Sequence, residues 1–131
     1  MKEMIYDGRE KREILYEGRY RNFHFVIVSY GSHPCAYVKI PKGHPCYGMD
    51  YDDIDVDVHG GLTFGDDLDH VLAHRGLNTF WIGWDYAHCG DCYQTRYIPD
   101  DTGRKWTTKE IYEDVKSVIR QLGEKYESNL G

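Results

Sequence analysis

The chain lacks any apolar run long enough to cross a bilayer, and its start, MKEMIYDGREKREILYEGRY, lacks the uninterrupted apolar core of a secretory signal. A cytoplasmic, soluble protein with no membrane partner is the expectation. Basic residues are also in short supply: 16 Lys and Arg face 22 Asp and Glu, for a net charge of −6 and a pI near 5.6. That balance argues against non-specific binding to nucleic acid or to an acidic membrane. Cysteine is sparse, with four residues and no secretory signal beside them. Free thiols or a metal site are therefore expected before a disulfide framework. A repeat period is missing too: HPC occurs at 33–35 and 44–46, but the continuations differ.

Aromatic side chains, by contrast, are plentiful, at 15% of the chain and with 12 tyrosines, and 40% of residues are apolar. Residues 1–131 are enough for a single globular domain with a packed core. Residues 13–20 and 23–30 are rich in β-branched and aromatic side chains around a short Arg21-Asn22 break, which predicts an antiparallel hairpin. The unbroken Phe25-Val26-Ile27-Val28 predicts a central strand, and Cys35 to Ile40 a third strand bounded by prolines. IDVDVH, residues 54–59, alternates strictly, predicting a strand with Ile54, Val56 and Val58 inward and Asp55, Asp57 and His59 on an acidic face. TFWIGW at 79–84 predicts another strand, with YQTRYI at 93–98 as its partner; helical turns are expected within 65–76.

Thr107 with Glu110 forms a capping-box pattern ahead of a helical stripe of Ile111, Val115, Val118, Ile119 and Leu122, with Gly123 as terminator. Lys109, Asp114, Lys116 and Arg120 are assigned to its solvated face. The fold class that follows is α+β: a mainly antiparallel sheet with one C-terminal amphipathic helix packed on it.

Chemistry concentrates in two stretches. In VDVHGGLT, His59 is followed by Gly60 and Gly61, whose lack of a Cβ permits a sharp turn or close ligand approach, with Thr63 beside them. In GWDYAHCGDC, residues 83–92, Asp85, His88 and Asp91 lie among glycines and two thiols. If both stretches reach one sheet edge, His59 and His88 can serve as acid and base, Asp57 or Asp85 can orient an imidazole, and Asp91 can take a metal or a ribose hydroxyl. Asx-type turns around Gly90 explain the same aspartates without function. Asp55, Asp57, Tyr86 and His44 are supporting candidates.

Cys89 and Cys92 make a C-x-x-C pair, so a zinc site with Cys35 and Cys46, or with His88 and His59, is considered; the second knuckle is missing. The strand expected after it does not suit a redox pair, which should open a helix. GMDYDDIDVDV lacks the spacing of a calcium loop, whereas magnesium held by one or two carboxylates stays open. Tyr47, Tyr51, Tyr86, Tyr93 and Tyr97 flank the candidate site, where their rings either stack on a planar ligand or pack within strands.

HPCYGMDYDDIDVDVHGGLTF (44–64) together with WIGWDYAHCGD (81–91) resembles an uncharacterised family of small bacteriophage and prophage proteins. That family is marked by HGG-[LI]-T and G-[FW]-D-x-A-H-x-G-D elements. The matching residues here are His59 to Thr63, Gly83-Trp84-Asp85, Ala87-His88 and Gly90-Asp91; the two cysteines fall outside the pattern. The resemblance implies a phage accessory protein acting in the host cytoplasm, where such proteins counter antiviral defence, in some cases by capturing nucleotide signals.

Three readings follow. The first is a module binding, and sequestering, a nucleotide-like small molecule, alone or as a homo-oligomer. The second is a hydrolase or phosphodiesterase using the His/Asp set as acid and base or with a divalent metal (Zn or Mg). The third is a phage structural or protein-interaction part.

Overall fold

The computed structural model describes residues 1–73, 77–95 and 102–127. Five strands form one antiparallel sheet in the order β1-β2-β3-β5-β4: β1 is Glu13–Tyr20, β2 Phe23–Ser29, β3 Pro34–Ile40, β4 Phe64–Asp66 and β5 Phe80–Asp85. The helix α1, Thr108–Leu122, packs across β1, β2 and β3. The α+β class read from the sequence holds.

Arg21 and Asn22 turn the β1–β2 hairpin with φ of 49° and 68°, the left-handed pair that a two-residue connection needs to match strand twist. Along β2, Phe23, Phe25 and Ile27 face α1, while Val26 and Val28 face a second apolar layer containing Tyr37, Leu68, Val71 and Trp81. Burial on both faces is why this strand reads as an unbroken apolar run.

The helix begins where the capping box predicts: Thr107 accepts from the Glu110 backbone N–H, and Glu110 accepts from the Thr107 N–H. Its five apolar stripe residues are all buried, each contributing about 1.5–3 kcal/mol against exposure. Gly123 does not terminate the chain's winding. With φ −70° and ψ −49° it stays right-handed and leads into a π-helical turn, Gly123–Glu127.

Several expected elements differ. Residues 54–59 form no strand, although the alternation survives: Ile54 is buried, Val56 and Val58 pack on the core, and Asp55 and Asp57 are exposed. Instead of pairing with a strand, this segment runs along the C-terminal end of α1. The Asp57 N–H and C=O both bond to the Gln121 side-chain amide, and the Asp55 N–H donates to the Tyr126 hydroxyl. Side chains of the helix satisfy the backbone groups that a ladder would otherwise take.

In the 65–76 segment, Gly65 and Asp66 belong to β4, and one helical turn over 68–72, closed by Leu72 N–H to Leu68 C=O, agrees with the expectation; residues 74–76 lie outside the described residues. The expected strand 93–98 is absent over Tyr93–Thr95, and its remainder, including Tyr97, lies outside the described residues. On α1, Asp114 and Arg120 are not simply solvated, since each bonds a tyrosine hydroxyl, Tyr86 and Tyr20 respectively.

Candidate functional site

β3 starts, and β2 and β5 finish, at one end of the sheet, with Ser29 opposite Pro34 and Cys35 opposite Asp85. The loop after β5 and the turn before β4 meet there. Thr63 donates its backbone N–H to Gly83 C=O and its hydroxyl to Asp85, tying the HGGLT segment to the end of β5. The two sequence elements are thereby joined through contacts on both sides.

Asp91 is the hub, with its side chain 4% exposed. One carboxylate oxygen accepts from Trp106 Nε1–H at 2.8 Å; the other lies 2.7 Å from His59 Nε2 and accepts the His88 backbone N–H at 3.1 Å. Burial by itself would raise the carboxyl pKa, but these partners together hold it below the ordinary carboxylate value. Both oxygens are engaged within the chain, and these bonds position the loop.

His59, 25% exposed, stacks parallel to Tyr86 with ring centroids 5.0 Å apart and against Trp106 at 4.7 Å. Tyr86 is buried and bridges two elements: its hydroxyl accepts from Trp84 Nε1–H and donates to Asp114 on α1. Burial, then the Asp114 carboxylate, push the Tyr86 pKa up and keep the phenol protonated. Arg104 covers the Trp106 ring at 3.6 Å while pairing with Glu110, and its backbone bonds Gly90 and Cys92.

His88, 34% exposed, places Nε2 3.2 Å from an Asp85 oxygen, in an orientation that forms an ion-pair contact but no aligned hydrogen bond. Asp85 also accepts the Ala87 N–H, the Asx-type turn that the sequence allows. The two imidazoles stand 5.6 Å apart, edge to face. Gly60 explains their closeness: a Cβ there would lie 2.1 Å from His88 Nε2, and its φ is +70°. Gly61, at φ +79° with open space around it, meets only the demand of the turn. The glycine that looks suited to admitting a ligand is occupied by a histidine of the chain itself.

Other candidates lie elsewhere. Asp55 is exposed beside Lys125, Asp57 is bound through its backbone to Gln121, and His44 is buried beneath the end of α1. There His44 Nδ1 accepts the Cys46 N–H, so Nε2–H donates to Leu122 C=O at 3.2 Å. Cys89 is exposed and Cys92 buried; among the described residues no three His, Cys, Asp or Glu side chains are arranged to hold a metal ion. Cys35 is buried in the second apolar layer, with its thiol pKa raised by burial, and Cys46 is buried in the first, where burial raises its thiol to about 11.

Beside the cluster a groove of about 490 Å³ is lined by Glu10, Lys11, Arg12, Tyr30, Ser32, His33 and Tyr93. His33 stacks between Tyr30 and Tyr93, at 5.4 and 5.3 Å. Burial lowers the His33 pKa, the Asp85 charge opposes that shift and His88 adds to it, with a net lowering. The Asp91 hub and this groove are continuous along the chain, because Cys92 N–H bonds Arg104 C=O and Gln94 N–H bonds Ser32 C=O on either side of Tyr93.

Sequence reading did not single out Trp106, Asp114 or His33 for this end of the molecule. His33 carried a signal in its place just before β3, level with the end of β5, whereas Trp106 precedes the capping box with nothing local to mark it. No protein-family model, curated protein or solved structure matches this chain.

Proposed function

We propose that this protein binds a nucleotide-like small molecule in the groove between Arg12 and Tyr93. The observation that carries the reading is the Tyr30–His33–Tyr93 ring stack, set in a groove that also holds Lys11 and Arg12. Tyr93 ends the stack and is 42% exposed, offering an aromatic surface to a planar group. Arg12, which donates to His70 C=O and whose guanidinium lies 5.5 Å from the Tyr30 ring centroid, supplies positive charge for a phosphate, while Lys11 is paired with Glu13 and Glu10 also lines the groove.

The His59–Asp91 and His88–Asp85 pairs act in this reading as the frame. They pin the 85–92 turn, and the turn delivers Tyr93 to the groove wall. A wall held in place before binding loses less entropy when the ligand arrives. In the phage setting suggested by the HGGLT and GWDYAHCGD elements, binding of this kind would sequester a host defence signal.

Calorimetric titration against cyclic and ADP-ribose-type nucleotides tests the proposal. Binding by the native chain, weakened about tenfold or more in Tyr93→Ala, is the expected result, because loss of one stacked base–aromatic contact costs about 1–3 kcal/mol. Absence of binding across the panel, or unchanged affinity in Tyr93→Ala, overturns it.

A hydrolytic version draws on one observation, the two His–Asp pairs whose imidazoles lie 5.6 Å apart. Each Nε2 already faces a carboxylate, leaving the Nδ1 atoms for acid and base work. Recovery of intact ligand after heat release supports capture; recovery of cleaved product supports hydrolysis.

A further inference from the structure

The opposite end of the sheet carries a second recess, of about 320 Å³, whose lining among the described residues includes Arg19, Lys39 and Lys42 but no Asp or Glu. This is unexpected in a chain with a net charge of −6. Arg19 and His24 are register partners on β1 and β2, and His24 shares the sheet face of Val26 and Val28, away from α1. Lys39 stands on that same face of β3, in line with Cys35 and Tyr37.

Among the described residues, none of the Arg19, Lys39 and Lys42 side chains makes an ion pair or a hydrogen bond. Several cations elsewhere are answered: Lys11 by Glu13, Lys116 by Glu113, Lys125 by Asp55 and Arg104 by Glu110. Among the described residues of the recess, His24 has a carboxylate, Glu17, at 3.2 Å, and Glu17 does not line the cavity. A lone exposed lysine is well solvated and calls for no partner. Three cations gathered around one concavity repel each other, and its low-dielectric walls focus their field onto the space between them.

We infer that this recess is a binding site for a small, multiply charged anion, separate from the aromatic groove. The neutral lining suits such a guest, since the side-chain amides of Asn22 and Asn78 can donate to anion oxygens, while Ile40, Pro41 and Tyr47 form an apolar wall. The seven-residue strand β2 separates the two grooves, a distance of about 20 Å at strand rise, so one small ligand does not span both. Polyphosphates and polycarboxylates share the required chemistry.

Pyrophosphate and citrate are the probes, followed by amide chemical-shift mapping and calorimetry at low and high salt. At least one of them is expected to perturb Asn22, Lys39, Lys42 and Asn78 without moving Tyr30, His33 or Tyr93, and to lose affinity steeply as salt rises. The stronger of the two identifies the anion class. Lys39→Gln with Lys42→Gln, one half-buried and one exposed, should keep the native Tm and weaken binding about tenfold or more, whereas Lys109→Gln, on the exposed face of α1, should leave it unchanged; the first is the loss expected for two charge-assisted contacts. If neither probe binds, or if the double variant binds as the native chain does, the inference is overturned. Because the probes carry no planar group, failure here is distinguishable from failure of nucleotide binding at the other groove.

Discussion

Where β3 begins, Asp91 receives three hydrogen bonds, His59 packs on both Tyr86 and Trp106, and His88 rests on Gly60 against Asp85. Where β3 finishes, Arg19, Lys39 and Lys42 surround a recess with no carboxylate in its lining among the described residues. The first arrangement answers nearly all of its polar groups within the chain, His88 Nε2 having an ion-pair contact but no aligned hydrogen bond, and so contributes rigidity. The second leaves its charges uncompensated, so it contributes little to stability and more to attraction. Polar residues of one protein thus divide into those that build a frame and those left without a partner in the chain, and hydrogen-bond satisfaction separates the two more clearly than residue type does.

Deleting the hub should break the frame most severely. Asp91→Ala strands the Trp106 indole N–H, the His88 backbone N–H and His59, and is expected to cost about 3–5 kcal/mol in urea unfolding. Lys42→Gln, at the open recess, should change stability by less than about 0.5 kcal/mol. Equal losses at the two ends would refute the distinction.

The paired glycines offer a finer comparison. Gly60→Ala drives a methyl into His88 at a positive φ and should destabilise by about 2–3 kcal/mol. Gly61→Ala, with space around it, should cost only about 1 kcal/mol from the backbone alone. Similar values from thermal melts would show that the His88 contact matters less than the turn.

Tyr86→Phe removes the hydroxyl linking Trp84 to Asp114, with an expected loss of about 1–2 kcal/mol by denaturant titration. A neutral effect would mean that the frame does not depend on its tie to α1.

The smallest effects are in the pH dependence. Asp91 has a lowered folded pKa, so its stabilisation is fully present above the unfolded value near about 3.9 and is lost as pH falls through the lower folded value. In Asp91→Asn that acid segment should flatten. His33 also has a lowered folded pKa; the unfolded chain therefore binds the proton first, and stability should fall as pH drops below about 6.5. His33→Gln should abolish that second slope in unfolding curves recorded across the same range.

Much of the fold was legible because its signals are local. The Arg21-Asn22 break, the doubly apolar β2 and the Thr107–Glu110 box each specify backbone geometry within a few residues. The IDVDVH alternation correctly marked which side chains turn inward, yet not their partner. An extended segment can satisfy its backbone on a helix side chain such as Gln121 as well as on a strand. β4 escaped notice because three residues are too few to show a period.

At the candidate site, the sequence by itself placed His59 just before a paired-glycine turn and Asp85, His88 and Asp91 in a second polar stretch after a strand, since glycine spacing and strand-ending aromatics act over a few residues. Tertiary structure alone decided their roles. It brought Trp106 from the approach to α1 onto Asp91, set Asp114 under Tyr86, laid His88 over Gly60 and placed His33 between two tyrosines. It also gathered Arg19, Lys39 and Lys42 from two strands and a loop into one recess. Hydrogen bonds, ring contacts and charge fields act through space, and residues distant along the chain become neighbours only when the sheet closes.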